Sequence, residues 1–145
     1  MREILLVRFG EVFLKGQNRP FFMKKLMDHI RQAVRPVNGR VWMSEGRFYV
    51  SDFTDMDECI RRVTRVFGVH SVSPAIEMDK DNFEAICEQA ARMMEPLSGT
   101  FKVLARRSDK RYPLDSPAIM REAGGYILDH VPQLTVDVNH PDHTM

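Results

Sequence analysis

The chain has 145 residues, of which 43% are hydrophobic and 28% are charged, and these proportions exclude a disordered or collagen-like protein. The net charge of +1 predicts no partner by itself, but basic residues concentrate at 15–35 and 102–111 and acidic residues at 52–58 and 77–88. No apolar run is long enough to cross a bilayer and no signal peptide is recognisable, so a membrane partner is not expected. This length predicts one or two small domains.

The amino-terminal part begins with a strand and a helix. Ile4–Phe9 is a continuous apolar run with β-branched residues, which predicts a buried strand. Pro20 suits the first turn of a helix, and Pro36 ends it. The apolar face predicted for this helix consists of Phe22, Leu26, Ile30 and Val34.

A hairpin, a helix and a strand follow. Arg40–Ser44 and Arg47–Val50 flank the dipeptide Glu45-Gly46, which predicts a tight turn between two strands. Asp55–Val66 has helical spacing, with the apolar residues Met56, Ile60, Val63 and Phe67. Val69–Ile76 is the next predicted strand. The order βαββαβ predicts a ferredoxin-like domain over residues 1–76.

Residues 77–145 predict a second domain of α/β type. With the ferredoxin-like domain before it, the chain as a whole is predicted to be of the α+β class. A helix is expected to start at Asp81, with Glu84 completing a capping box. Phe101–Ala105 predicts a strand, Ser116-Pro117 a helix start, and Leu134–Val138 a half-buried strand. No further strand is expected after Pro141, so this domain is predicted to be incomplete.

The most informative stretch is the basic loop, residues 106–111, between the predicted strand and the helix that follows Asp115. The loop and the residue just upstream of it provide the cations Lys102, Arg106, Arg107, Lys110 and Arg111 against one acid, Asp109, and Arg121 lies on the helix that follows. Cations beside a helix start, with its unpaired N–H donors, favour phosphate binding. Tyr112 either stacks on a base or covers the domain edge. The sequence contains no recognition helix for a DNA major groove, which favours RNA as the ligand.

Other functions find less support in the sequence. Only His140 and His143 are close enough to suggest a metal pair, and no third ligand is evident. Cys59 and Cys87 have no neighbouring cation to activate a thiolate, and their helical apolar surroundings predict buried, reduced cysteines of a cytoplasmic protein. No catalytic constellation is recognisable. Each basic cluster is alternatively an ordinary solvated face, and the hairpin around Trp42 is alternatively a protein-interaction surface.

The sequence also resembles a known family. The run LLVRFGEVFLKGQNRPFFMKKLMDHIR resembles the amino terminus of the bacterial tRNA 4-thiouridine synthetases, also called tRNA sulfurtransferases or thiamine-biosynthesis sulfurtransferases. VFGVHSVSPA is similar to the end of their first domain. FKVLARRSDKRYPLDSPAIMREAGGYIL is similar to the centre of their THUMP domain, and LTVDVNHPD to a later strand of it. The resemblance covers nearly the whole chain.

This resemblance implies an RNA-binding fragment without turnover of its own. The family's catalytic domain, with its SGGxDS motif, ATP and Mg, is expected beyond these residues. Family members replace an oxygen of tRNA uridine 8 with sulfur from a cysteine desulfurase persulfide, and many also supply sulfur for the thiamine thiazole. THUMP is expected to take the tRNA acceptor end, and the first-domain loop implies a second set of contacts, Lys15, Asn18 and Arg19.

Cys59 and Cys87 are not expected to inherit the persulfide role, because they lie in the binding part. A THUMP-containing RNA methylase or pseudouridine synthase is the alternative family reading, against which the ferredoxin-like start argues. The sequence does not decide whether the chain forms a homodimer.

Overall fold

A computed structural model of the protein describes residues 1–10 and 16–145. The chain divides into two compact units, Met1–Met78 and Asp79–Met145, called the first and the second unit below. Among the described residues, every helix is too short or too polar to traverse a lipid bilayer.

The first unit consists of a four-stranded sheet and two helices. Its elements are β1 (Arg2–Phe9), α1 (Arg19–Val34), β2 (Arg40–Ser44), β3 (Arg47–Ser51), α2 (Met56–Thr64) and β4 (Val69–Glu77). The strands lie in the order β2-β3-β1-β4, and every neighbouring pair is antiparallel. This arrangement is the ferredoxin-like fold, so the predicted βαββαβ pattern is confirmed.

The core of the first unit lies between the two helices and one face of the sheet. Successive strand residues point to opposite faces, so Leu5 and Val7 of β1 enter the core together. Their fully buried partners are Ile30, Val34, Phe48, Val50, Cys59 and Val63. Two residues of the predicted helical faces lie outside this core. Phe22, in the first turn of α1, is 41% exposed, and Phe67 is 80% exposed because α2 ends at Thr64.

The predicted hairpin between β2 and β3 is confirmed. Glu45 and Gly46 have φ values of 52° and 77°, and positive φ at both central residues is the signature of a type I′ turn. This turn matches the twist of the two strands, so Trp42 and Tyr49 come directly opposite each other.

The second unit packs two helices with a three-stranded parallel sheet. Its elements are α3 (Phe83–Met94), β5 (Gly99–Lys102), α4 (Ser116–His130), β6 (Leu134–Val136) and β7 (His143–Thr144). The strand order is β6-β5-β7, and α4 makes the crossover that parallel neighbours require. Phe101 and Ile127 are completely buried at the centre of its core.

The start of α3 differs from the prediction. The capping residue is Asn82, whose Oδ1 accepts a 3.1 Å hydrogen bond from the backbone N–H of Ala85. Asp81 is not the cap, because its own backbone N–H donates to Asp79 Oδ1 at 2.9 Å in the turn before the helix. The predicted capping box between Asp81 and Glu84 is therefore wrong.

The predicted strands of the second unit also need correction. β5 covers Gly99–Lys102 rather than 101–105, because its pairing with β6 begins at Gly99. β6 ends at Val136, because Asp137 Oδ1 accepts hydrogen bonds from two following backbone N–H groups and turns the chain. The expectation of no strand after Pro141 is wrong, since β7 pairs with β5. Asp142 fixes it there by accepting from the backbone N–H of Thr100 at 3.0 Å.

Candidate nucleic-acid interface

The basic loop lies in the irregular segment 103–115 that joins the end of β5 to the start of α4. Asp115 ends this segment in an extended conformation and caps the helix, with its Oδ1 accepting from the backbone N–H of Ala118 at 2.9 Å. A cap of this kind satisfies one of the unpaired donors of the first helical turn. The predicted helix start is confirmed, and it closes one end of the basic loop.

Asp109 organises the middle of the basic loop. Its carboxylate accepts hydrogen bonds from Arg111 Nε at 3.0 Å and Nη2 at 3.1 Å, and from the backbone N–H of Arg111 at 3.0 Å. Lys80 Nζ approaches the same carboxylate at 3.4 Å. These contacts, led by the Arg111 side chain, lower the pKa of Asp109 to about 2. Asp109 is therefore ionised at neutral pH and neutralises only part of the surrounding positive charge.

Arg107 has a structural position within the loop. Its backbone N–H donates to Ser116 Oγ at 3.1 Å, and its Nη1 donates to the carbonyl oxygen of Tyr112 at 3.0 Å. The residue is half-buried, unlike Arg106 before it. Arg107 thus joins the two ends of the basic loop to each other and to the first turn of α4.

The remaining loop cations project outward. Arg106 and Lys110 are exposed and make no hydrogen bond or ion pair with any other described residue. The Arg111 side chain is 91% exposed despite its contact with Asp109, and an ion pair this exposed is worth little in water. Three positive groups are therefore available to an anion.

Tyr112 contributes an apolar surface beneath these cations. A groove of about 240 Å³ lies here, and its polar border is formed by Lys80, Arg106, Arg107, Ser108 and the carboxylate of Asp109. Tyr112 shares the apolar lining with Phe83, Ile86 and Ile119. Burial raises the pKa of its phenol, with a smaller contribution from Asp81. The sequence suggested that Tyr112 either stacks on a base or covers the domain edge. Its half-buried position fits both roles, since the ring lies near Phe83 and Ile86 of α3 and also lines the groove.

Lys102 and Arg121 lie at a different groove, which has a volume of about 560 Å³ and none of the basic-loop residues in its lining. Gly124 and Gly125 form part of its wall. A Cβ on Gly124 would come no closer than 3.8 Å to Val103, and one on Gly125 would meet nothing within 4 Å. The glycines are therefore not required by packing within this unit, and they leave the groove open.

Comparison with known proteins identifies the two domains of this chain. A model described as the ThiI ferredoxin-like domain matches residues 4–73, and one described as the THUMP domain matches residues 80–145. A probable tRNA sulfurtransferase of Acetivibrio thermocellus is 44% identical over 98% of this chain, and one of Alkaliphilus metalliredigens is 43% identical over 98%. The chain carries the ferredoxin-like and THUMP domains of the ThiI family. It spans 38% of the length of these two relatives.

Two solved structures share the fold of the ThiI pair of domains. The crystal structure of PH1313 from Pyrococcus horikoshii Ot3 has a TM-score of 0.80 and 30% identity, over 99% of this chain and 51% of that one. The crystal structure of a 4-thiouridine synthetase–RNA complex with bound ATP has a TM-score of 0.81 and 28% identity, over 99% of this chain and 37% of that one. The first unit is called the ferredoxin-like domain and the second the THUMP domain from here on.

The predicted contacts of the ferredoxin-like domain are only partly visible. Lys15 lies outside the described residues. Asn18 precedes α1 without forming a side-chain cap, and Arg19, the first helical residue, is exposed. Lys24 and Lys25 are also exposed on α1, as a solvated helix face would be. Arg19 and Lys24 border a largely apolar groove of about 450 Å³ between the start of α1 and the β2–β3 hairpin, so the described part of this set has accessible polar groups beside a preformed surface.

Sequence reasoning missed one lysine and one group of four arginines. Lys80 reaches the basic loop because α3 and α4 pack together, and a lone lysine before a helix gives no signal of this. The group comprises Arg2, Arg8, Arg40 and Arg47 in the ferredoxin-like domain. These four arginines are far apart in the sequence. They come onto the same sheet only through the pairing of the strands, which the sequence analysis did not derive.

The cysteines are poor candidates for sulfur chemistry. Both are buried and unpaired, as predicted. Burial raises the pKa of the Cys59 thiol to about 11, and burial together with Glu122 and Glu84 raises that of Cys87. Neither thiol is a nucleophilic thiolate at neutral pH. In the predicted histidine pair, His143 Nε2 lies 3.0 Å from the carbonyl oxygen of Ser98 and so helps to hold β7.

Proposed function

We propose that this chain is the RNA-binding part of a tRNA sulfurtransferase, and that the basic loop of its THUMP domain holds phosphates of the tRNA acceptor end. Support comes from the loop geometry, from relatives named probable tRNA sulfurtransferases, and from the likeness to a 4-thiouridine synthetase solved with RNA. The ThiI ferredoxin-like match favours this family over the THUMP-containing methylases and pseudouridine synthases.

One observation carries the proposal: Arg106, Lys110 and Arg111 project into solvent from a loop that is already held in shape. Arg107 and Asp109 fix the backbone of this loop by hydrogen bonds. Cations held in this way lose less conformational freedom on binding than cations on a flexible tail. Each phosphate they neutralise releases counterions, which gives RNA binding its free energy and its salt dependence.

The proposal extends to the whole protein. There, a catalytic domain using ATP and Mg would exchange an oxygen of uridine 8 for sulfur, to make 4-thiouridine. A cysteine desulfurase would donate the sulfur, and the same protein would also serve thiamine thiazole synthesis. The SGGxDS motif of that domain does not occur in this sequence, so no residue of this chain is assigned to ATP or Mg. The high pKa of both thiols is consistent with a binding role alone.

Lys102, Arg121, Tyr112, Asn18 and Arg19 have flanking roles in this proposal. Lys102 and Arg121 border the separate groove beside the glycines, where long side chains still reach outward. Tyr112 lines the loop groove and would contact a base there. Asn18 and Arg19 would contact the RNA backbone from the ferredoxin-like domain.

Charge reversal tests the assignment of the loop. We expect the double variant Arg106→Glu, Lys110→Glu to weaken tRNA binding at least about tenfold and to reduce the salt slope of log K by about two. The matched control Lys24→Glu, Lys25→Glu changes the same number of charges on an exposed helix, and its effect should stay below about threefold. Fluorescence anisotropy of labelled tRNA across a salt series measures both quantities.

Two results would count against the proposal. Equal losses in the loop variant and in the α1 control would show that total charge, not the loop, governs binding. Binding that is absent or insensitive to salt would exclude phosphate recognition and favour the protein-interaction reading.

A further inference from the structure

We propose that the ferredoxin-like domain carries a second RNA-binding surface on the face of its sheet that neither α1 nor α2 covers, called the open face below. On this face, an unpaired base would stack against the Trp42–Tyr49 pair, and phosphates would lie at Arg8, Arg40 and Arg47. The inference rests on the proposed function, because it assigns a second contact to the same class of ligand.

The strand register shows which residues occupy the open face. Trp42 is paired with Tyr49, Tyr49 with Leu6, and Leu6 with Ser73, so these four form one row across the four strands. Directly paired residues share a face of a sheet. None of the four belongs to the core beneath α1 and α2.

The aromatic pair has a geometry suited to stacking. The ring centroids of Trp42 and Tyr49 are 5.3 Å apart, with 21° between the ring planes. The guanidinium of Arg2 lies 5.1 Å from the Trp42 centroid, and Glu77 holds it at 2.7 Å. Arg2 therefore contacts the indole ring and is itself held by Glu77. Aromatic side chains on the face of a four-stranded antiparallel sheet are a common platform for the bases of single-stranded RNA.

The charges of the open face favour a polyanion. Arg40 and Arg47 make no hydrogen bond or ion pair with any other described residue, and Arg8 donates only to Ser73 Oγ at 2.6 Å. Val7 pairs with Phe48, so Arg8 and Arg47 are the next residues along their two neighbouring strands. Like charges at such positions repel each other, and a bound phosphate would relieve that repulsion. Arg2 already engages Glu77, and Asp52 also acts on its charge, so the acids found near this face are close to Arg2 rather than to Arg8 or Arg47.

The two observations together favour RNA as the occupant. Unpaired arginines alone would also suit an acidic protein, and an aromatic pair alone would suit an apolar one. On the open face, stacked aromatic rings lie beside unpaired guanidinium groups. This combination matches RNA, in which bases alternate with phosphates along the chain.

Trp42 makes a direct test possible, because it is the chain's one tryptophan. An unlabelled single-stranded oligouridine of about eight nucleotides is titrated into the chain while Trp42 emission is followed, and a labelled copy reports total binding by anisotropy. We expect Trp42 emission to be quenched in step with anisotropy. The variant Arg8→Thr, Arg47→Thr should weaken binding about tenfold, whereas the control Arg61→Thr, Arg65→Thr at the C-terminal end of α2, which removes the same number of charges, should stay within about twofold.

A second variant guards against misfolding of the first. Arg40 lies on the edge strand β2, so Arg40→Thr leaves the central ladder intact and should weaken binding about threefold. If the oligouridine binds by anisotropy while Trp42 emission stays constant and the arginine variants match the α2 control, the open-face proposal is overturned and a protein becomes the better occupant. The proposed function would survive that result, and it fails separately if tRNA produces no anisotropy change.

Discussion

The basic loop of the THUMP domain and the open face of the ferredoxin-like sheet present arginines by different means. In the loop, the cations are neighbours in sequence, and side chains such as Arg107 and Asp109 hold the backbone that carries them. On the open face, Arg8, Arg40 and Arg47 come from three strands, and the hydrogen-bonded ladder holds them. A side chain can therefore be essential to the shape of the loop, whereas on the sheet the backbone ladder sets the positions and the arginines contribute mainly charge.

The largest effect expected from this difference is on stability. Arg107→Ala removes a charged donor from the Tyr112 carbonyl, and we expect the free energy of unfolding of the THUMP domain to fall by about 2 kcal/mol. Arg47→Thr on the sheet should change that of the ferredoxin-like domain by less than about 0.5 kcal/mol. Urea denaturation followed by circular dichroism measures the change, and Trp42 fluorescence reports separately on the ferredoxin-like domain.

Equal stability changes in these two variants would remove the distinction between the regions. A stable Arg107→Ala protein that had lost RNA affinity would instead make Arg107 a contact residue like Arg106. Lys110→Ala provides the reference for a contact residue, since its exposed side chain should alter stability by less than about 0.5 kcal/mol.

A smaller effect is expected at the two glycines within α4. Gly124→Ala should stabilise α4 by up to about 1 kcal/mol, because alanine favours a helix and its Cβ would lie 3.8 Å from Val103, an ordinary contact. Binding of tRNA should stay within about twofold, since the basic-loop cations line another groove. Thermal denaturation and anisotropy test the two parts. A tenfold or larger loss of affinity would place the RNA backbone against the glycines.

The sequence predicted the elements that have strong local signals. The spacing of Leu26, Ile30 and Val34 identified α1, and Glu45-Gly46 identified the hairpin, because periodicity and turn chemistry act between near neighbours. The start of α3 was misplaced by one residue, since aspartate and asparagine cap equally well and the surrounding turn decides between them. The two-residue strand β7 is too short to leave a pattern.

The candidate site was also predictable only where its residues are close together in the sequence. Clustering in sequence revealed the basic loop, but charge alone could not separate Arg107, which turns inward, from Arg106, which does not. The arginines of the open face were missed because only strand pairing gathers them. Sequence reasoning therefore finds charges grouped along the chain and misses those grouped by the fold.

The smallest predicted effect on stability at neutral pH comes from Asp109, whose carboxyl group titrates only in acid. Since folding lowers its pKa from 3.8 to about 2, its stabilising contribution is present above about pH 4 and is lost as the pH falls through about 2. We expect a carboxyl carbon NMR titration of Asp109 to show a midpoint near 2. In the variant Arg111→Ala, which removes the leading cause of the shift, the midpoint should move back toward 3.8. An unchanged midpoint in that variant would show that Arg111 does not engage the carboxylate.

The claim that RNA binds at the basic loop is tested most directly by mapping amide NMR shifts as an RNA hairpin carrying a tRNA acceptor end is added. The account predicts that the largest changes fall at residues 106–111, with a second group on the open face around Trp42. If the amide shifts of residues 106–111 stay unchanged at saturating RNA while residues elsewhere shift, the claim is contradicted.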